Sequence, residues 1–240
     1  MLKKTFVIGD IHGRYKALLQ VLKKSKFDYD KDKLIILGDV VDGGFNTYKC
    51  VEELMKIKNK ILIRANHDEW FMNHIKTGWT EKIWLLQGGD NTLNSYTKNN
   101  KINIPVTHQH FFNEGVYYHI EDEKVFVHGG FDIKKGIENT DKEVLIWDRS
   151  LIDKARWDNI KGYKKIFVGH TTTQMYGNLP EIKDCMLPIK FNNLWMMDTG
   201  AGWSGKLTIM DINTEKYWQS DLQAPAQRKV PKHIMEELFK

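Results

Sequence analysis

Residues 5–13 read TFVIGDIHG and residues 34–44 read LIILGDVVDGG. Each is a short apolar run that stops abruptly at Gly-Asp. A continuous apolar run bounded by turn formers is the pattern of a strand buried on both faces. The pattern returns at 60–68 (KILIRANHD), 125–130 (VFVHGG) and 165–171 (KIFVGHT). Leu194–Asp198 and Leu207–Asp211 read as further strands, and a turn at NTEK leads to another at Tyr217–Ser220. Between the early runs lie helical patterns. Arg14–Ser25 puts Leu18, Leu19 and Leu22 on one face, and Thr47–Lys58 does the same with Tyr48, Val51, Leu54 and Met55. Strand, helix, strand, helix, strand implies parallel α/β units. The turn-rich last third predicts a second, more antiparallel sheet. Residues 69–123, rich in aromatics and amides, break the alternation and are expected to form a helical cap over one end of the sheets. We expect a single domain over 1–220, with a loosely docked tail over 221–240.

The chain has 240 residues, of which 41% are hydrophobic and 28% charged, which excludes a disordered or fibrous protein. Its net charge of +5 leans toward anionic partners. The lysines are scattered, so the sequence argues for a solvated surface and against a dedicated nucleic-acid face. Two distant cysteines in no metal spacing imply a reducing compartment, and a four-residue apolar run near the start is too short for a secretory leader. A cytoplasmic protein outside any membrane is therefore expected. Nothing in the sequence fixes its oligomeric state.

The strand ends carry the chemistry. They supply Asp10, His12, Asp39, Asp42, Asn66, His67, His128 and His170. In an α/β sheet the carboxyl ends of parallel strands line one crevice. Asp10, His12, Asp39, Asn66, His128 and His170 should therefore converge, although they span 160 residues. Two carboxylates, one amide oxygen and three imidazoles, with no thiolate, suit Mn, Fe or Zn. Six ligands exceed what one catalytic ion with an open position needs, but they suit two ions sharing a carboxylate. Two such ions bring four positive charges against two negative ones. The surplus would hold a phosphate dianion and acidify a bound water.

In order, GDIHG, GDVVDGG, ANHD, VHGG and GHT resemble the signature GDxHG, GDxxDRG, GNHE, HGG and GH. That signature belongs to the phosphoprotein-phosphatase branch of the calcineurin-like metallophosphoesterases. The spacings agree, with 29 residues from Asp10 to Asp39 and 27 from Asp39 to Asn66. QGGDNTLNSY (87–96), IWDR (146–149) and MDTGA (197–201) are similar to the bacterial and phage members. That group contains Ser/Thr and Tyr protein phosphatases and diadenosine tetraphosphatases.

The resemblance implies a four-layer αββα sandwich of two mixed sheets. It implies two divalent metal ions, with manganese first and iron or zinc as alternatives. Asp10 and His12 would hold one ion and Asn66, His128 and His170 the other, with Asp39 bridging. A metal-bridging hydroxide would attack phosphorus while His67, oriented by Asp42, protonates the leaving oxygen. Arg149, Arg64 and Asn66 would bind the substrate phosphate. The expected activity is hydrolysis of phosphomonoesters, foremost in phosphorylated proteins or peptides at Ser or Thr, with Tyr as an extension. The alternatives are a nucleotide hydrolase acting on diadenosine polyphosphates or cyclic nucleotides, and a metal-binding pseudophosphatase without activity. Three departures stand out. Gly43 replaces the signature arginine, Ala65 a glycine, and Asp68 a glutamate. Arg14 is a candidate to make good the missing guanidinium. Asp198 is a candidate to hydrogen-bond a ligand histidine, and Trp79, Trp84 and Trp203 could pack in the core or stack on a base. His108 and His110 match no motif.

Overall fold

The computed structural model describes residues 3–225. Most of the expected tail, from residue 226 on, lies outside them. The chain runs β1 (Thr5–Ile8), α1 (Tyr15–Ser25), β2 (Lys33–Ile36), α2 (Thr47–Met55), β3 (Asn59–Leu62) and α3 (Asn66–Thr77). It continues through α4 (Lys82–Trp84), α5 (Asp90–Ser95), β4 (Thr97–Lys98), β5 (Lys101–Ile102) and α6 (Val106–Asn113). Then come β6 (Tyr118–Glu121), β7 (Lys124–Val127), α7 (Lys142–Trp147), α8 (Ser150–Trp157) and β8 (Lys165–Val168). The described chain closes with β9 (Ile189–Phe191), β10 (Leu194–Met196), β11 (Thr208–Asp211) and β12 (Tyr217–Gln219).

Two five-stranded sheets result, ordered β12-β11-β1-β2-β3 and β6-β7-β8-β10-β9. Three strands in each are parallel: β1, β2 and β3 in the first, and β7, β8 and β10 in the second. Antiparallel strands complete them, β11 and β12 on one side of the first sheet, β6 and β9 at the two edges of the second. Side-chain alternation along the strands builds the layers. Phe6, Ile8, Leu34 and Ile36 face α1 and α2 in one core. Val7, Ile35, Phe126, Phe167 and Trp195 lie between the sheets. Val125, Val127, Ile166 and Val168 face α8 in a third core. The outcome is the expected αββα sandwich. Lysines tie its two sheets together at the N-terminal ends of the parallel strands. Lys33 Nζ lies 2.6 Å from Glu121, and Lys165 Nζ reaches Glu215 at 2.8 Å and the Ile212 carbonyl at 2.9 Å.

Three details differ from the sequence reading. The C-terminal hairpin joins the first sheet, not the second. Ile209 and Met210 point to two different cores, which fits a strand covering the otherwise open, buried edge of β1. β6 falls inside the stretch read as cap, because its half-buried YHIE has no apolar run to betray it. On α1, Leu19 faces solvent, and Ala17, Leu18, Val21 and Leu22 are the buried apolar residues. The helical stretch from α3 to α6 shares its core with α1 and α2, through Phe71, Trp84, Tyr96, Phe111 and Phe112. It thus widens the outer helical layer, and its turn at 85–92 reaches the strand ends.

Candidate metal centre

After β1, β2 and β8 the chain turns sharply at a polar residue. His12, Asp39, Asp42 and His170 all adopt left-handed backbone angles, with φ of 47, 44, 69 and 61°. Such angles are unfavourable for non-glycine residues and persist where surrounding structure enforces them. Here the turns brace one another. His12 N donates to the Asp39 carbonyl at 2.7 Å, and His170 N donates to Asp10 Oδ2 at 3.0 Å. His67 N reaches Asp39 Oδ1 at 3.2 Å. Asp68 keeps the 38–44 loop in place by accepting from the backbone N–H of Val40 and Val41.

Two groups of metal-capable atoms share Asp39: His12, Asp39 and His67, and Asp39, His128 and His170. Within each group the ligand atoms lie within 4.8 Å of one another. Asp39 Oδ2 is 3.5 Å from both His12 Nε2 and His128 Nε2. Asn66 Oδ1 lies 2.9 Å from His128 Nε2. The imidazoles are oriented by carbonyls, which can only accept. His12 Nδ1 donates to Val41 and His128 Nδ1 to Leu37, so each Nε2 lone pair faces inward. Among the described residues, Asp10 Oδ1 and His170 Nε2 are buried without a hydrogen-bond partner. Unpartnered buried polar atoms are costly, and these fit divalent cations as the missing partner. The oxygen and nitrogen donors suit such ions.

The electrostatics agree. Burial, with Asp198 and Asp39 nearby, drives the Asp10 carboxyl well above its ordinary range. Burial also lowers His12 to about 4 and His170 to about 3. Neutral imidazoles are what a metal ligand must be. Asp39 is the opposite case: burial pushes it up, but His128, His67 and His12 hold it well below the ordinary carboxylate value.

His67 stands apart from this neutral set. Its Nδ1 lies 2.5 Å from Asp42 Oδ2. Burial opposes a charge there, yet Asp39, Asp42 and Asp68 raise its pKa to about 9. Asp42 is itself held by the Trp84 indole N–H and the Thr92 hydroxyl. Trp84 is thus buried in the core, as expected, with its indole N–H spent on Asp42.

Two adjoining cavities of about 250 Å³ each share His12, His67, Gln87 and Trp203. One contains Asp39, Asn66, His170, Asp198 and Arg149. Arg149 is exposed at its rim, where a phosphate could meet it. The other opens on the His67 side and is completed by Gly43, Gly202, Ser204 and Pro225.

Two arginine expectations are corrected. Arg64 points into the helical insertion, donating to the Gly115 and Asn113 carbonyls and pairing with Glu69. Its donors are spent there, and it lines neither cavity described above. Arg14 donates to the Ala201 and Gly202 carbonyls, so it braces the 201–203 loop and does not replace the missing arginine. Asp198 lies in the metal cavity, raised to about 6 by burial, and accepts from Gly200 N. His108 is a buried structural residue between Tyr96 and Glu52. Sequence reasoning missed Gln87, Thr92, Trp70 and Trp147. The two tryptophans stand edge-on to His67 and His170, at 5.0 and 5.5 Å between ring centres. Their only sequence signal was position, one turn after ANHD for Trp70 and within IWDR for Trp147.

A sequence model of the calcineurin-like phosphoesterases matches residues 3–194. The chain belongs to that family. Calcineurin-like phosphoesterases are metal-dependent hydrolases of phosphoric esters, which agrees with the shared-carboxylate centre. Serine/threonine-protein phosphatase 1 of Salmonella typhimurium is 24% identical over 216 residues, covering 88% of this chain and 92% of that one. The symmetrical bis(5'-nucleosyl)-tetraphosphatase of Coxiella burnetii is 31% identical over 70 residues, covering 29% of this chain and 24% of that one. A crystal structure of a putative diadenosine tetraphosphatase matches this fold with a TM-score of 0.68 at 14% identity, over 93% of this chain and 95% of that one. Among the described residues no helix is long and apolar enough to cross a membrane.

Proposed function

We propose that this calcineurin-like phosphoesterase is a phosphomonoesterase of the protein-phosphatase type, loaded with two divalent ions, manganese foremost. Asp10, His12, Asp39, Asn66, His128 and His170 would hold them. When bound, they supply Lewis acidity at the phosphate and an acidified water. The chain's own residues do the rest. Arg149 and the Asn66 amide bind phosphate oxygens. The Asp42–His67 pair keeps a proton on His67 and gives it to the departing oxygen. Asp42 fixes the ring by accepting from Nδ1, which leaves Nε2 as the donating atom. Trp70 stands edge-on to His67 and Trp147 edge-on to His170.

The observation that carries this reading is the cavity beyond His67. Among the described residues, its lining contains no Lys, Arg, Asp or Glu. Cleavage of a dinucleoside polyphosphate expels a nucleoside phosphate, an anion that needs cations on the leaving side. A protein hydroxyl leaves as a neutral group and needs none. The similarity to a protein phosphatase over 88% of this chain points the same way. The intact His67–Asp42 contact weighs against an inactive pseudophosphatase.

The test compares kcat/KM on phosphopeptides, p-nitrophenyl phosphate and diadenosine tetraphosphate with manganese-loaded protein. Phosphopeptides should be hydrolysed faster than the dinucleotide. Fast dinucleotide cleavage beside negligible phosphopeptide turnover would overturn the proposal.

A further inference from the structure

The cavity on the His67 side has a shape as well as a charge character. Its floor is made by Gly43 and Gly202, which present backbone and no side chain. Gly202 has no alternative: a Cβ there would sit 2.5 Å from His12 Cδ2. Gly43 has a φ of +65°, and a Cβ on it would press at 3.2 Å on the Gly202 carbonyl and His12 Cβ. Trp203, half exposed, forms one wall and Gln87 another. The backbone that carries each is anchored. Gln87 rides on a π-helical turn at Leu85–Gly89. Asn91 Nδ2, one turn on, donates to the Gly43 carbonyl at 2.7 Å. Trp203 is held through Arg14, whose guanidinium reaches the Ala201 carbonyl at 2.9 Å and the Gly202 carbonyl at 3.2 Å. The result is a slot of about 250 Å³ with an indole wall and a bare backbone floor. An apolar cavity of about 150 Å³ already holds benzene.

We infer that this slot is a leaving-group subsite for an aromatic ring, so that aryl phosphomonoesters such as phosphotyrosine side chains are preferred over alkyl ones such as phosphoserine. The inference rests on the phosphomonoesterase reading above and narrows its substrate class. Where the family signature places an arginine, Gly43 leaves room for the ring. His67 belongs to both cavities, so a ring in the slot has its ester oxygen beside the imidazole. Water adds its oxygen to phosphorus, the bond from phosphorus to the aryl oxygen breaks, and the His67 proton passes to that oxygen. Phosphate and a neutral phenol result, and the attacking water's proton returns through solvent.

Aryl esters are intrinsically more reactive than alkyl esters, so a rate preference alone would not identify a subsite. Binding without chemistry does. Benzylphosphonate and propylphosphonate are stable mimics of the two ester types, and their inhibition constants against p-nitrophenyl phosphate report the slot directly. Ring contacts of this kind predict about tenfold tighter binding of benzylphosphonate. Trp203→Leu should reduce that preference to about twofold, and Trp203→Phe should retain most of it. The phosphotyrosine-to-phosphoserine ratio of kcat/KM, measured on one peptide sequence, should fall in parallel in Trp203→Leu. Equal inhibition by the two phosphonates, or a preference that survives Trp203→Leu, overturns the subsite while leaving the phosphomonoesterase reading intact. No turnover of any phosphomonoester by metal-loaded protein overturns both.

Discussion

The indole N–H of Trp84 is shared between the two carboxylate oxygens of Asp42, at 3.0 and 2.9 Å. It is the outermost link of a chain that runs from the helical insertion through Asp42 to His67. Asp42 has no freedom left, since the Thr92 hydroxyl donates to Oδ1 and His67 Nδ1 meets Oδ2. Burial raises the Asp42 carboxyl, and His67, Thr92 and Trp84 together oppose that rise. Trp84→Phe keeps the packing and removes one donor to a charged group. We expect a loss of about 1.5–3 kcal/mol in stability by urea unfolding. We also expect kcat to fall severalfold with metal content unchanged. Unaltered kcat on an alkyl phosphate would show that Asp42 orients His67 without the indole.

His67→Asn removes the proposed acid and keeps the residue polar. Metal content by elemental analysis should stay near that of the native protein. Turnover of an alkyl phosphomonoester should fall by about 10²–10⁴-fold. The loss should be much smaller with p-nitrophenyl phosphate, whose oxygen leaves readily without a proton. A loss of equal size on both substrates would assign His67 to binding or to metal ligation, as its place in one of the two atom groups also permits.

Asp39 belongs to both groups of metal-capable atoms, and His170 belongs to one of them. The stoichiometry of variants tests that difference. Manganese per chain should fall from about two to about one in His170→Ala, and below that in Asp39→Ala. Chelation should abolish activity and lower the melting temperature. An ion at about a hundred times its dissociation constant contributes about 2.7 kcal/mol. Equal metal loss in both variants would refute a carboxylate shared between two sites.

Much of this site could be read along the chain, because its metal-capable side chains sit where strand periodicity ends. Asp10, Asp39 and His170 each follow directly on a glycine after an apolar run, and the parallel order of β1, β2 and β3 brings the first of them together. The supporting residues were less legible. Trp84, Thr92 and Gln87 lie in a segment with no strand or helix period of its own, and their contacts with Asp42 and the cavities are long-range in sequence. Arginines misled for a related reason. Arg64 and Arg14 stand beside the motifs, but a side chain of that length can serve either face of its turn. Here backbone carbonyls of neighbouring loops claim both. Sheet membership of β11 was equally hidden, since an apolar strand after a turn fits any open edge.

Acid should loosen the sandwich at the end opposite the metal centre. Glu121 of β6 meets Lys33 of β2 at 2.6 Å, and both side chains are mostly shielded from solvent. Burial alone would raise the Glu121 pKa, but hydrogen bonds from Lys33 and His119 bring it below its ordinary value. A carboxyl with a depressed folded pKa stabilises the protein above its unfolded pKa of about 4.3, and this contribution disappears as pH falls through the folded value. Glu121→Gln should therefore cost about 0.5–1 kcal/mol at pH 7. The two proteins should converge in stability as the pH drops below about 4. Urea unfolding of chelator-treated protein at both pH values checks this without interference from metal release. A difference that persists unchanged in acid would mean that the carboxylate contributes through packing and not through its charge.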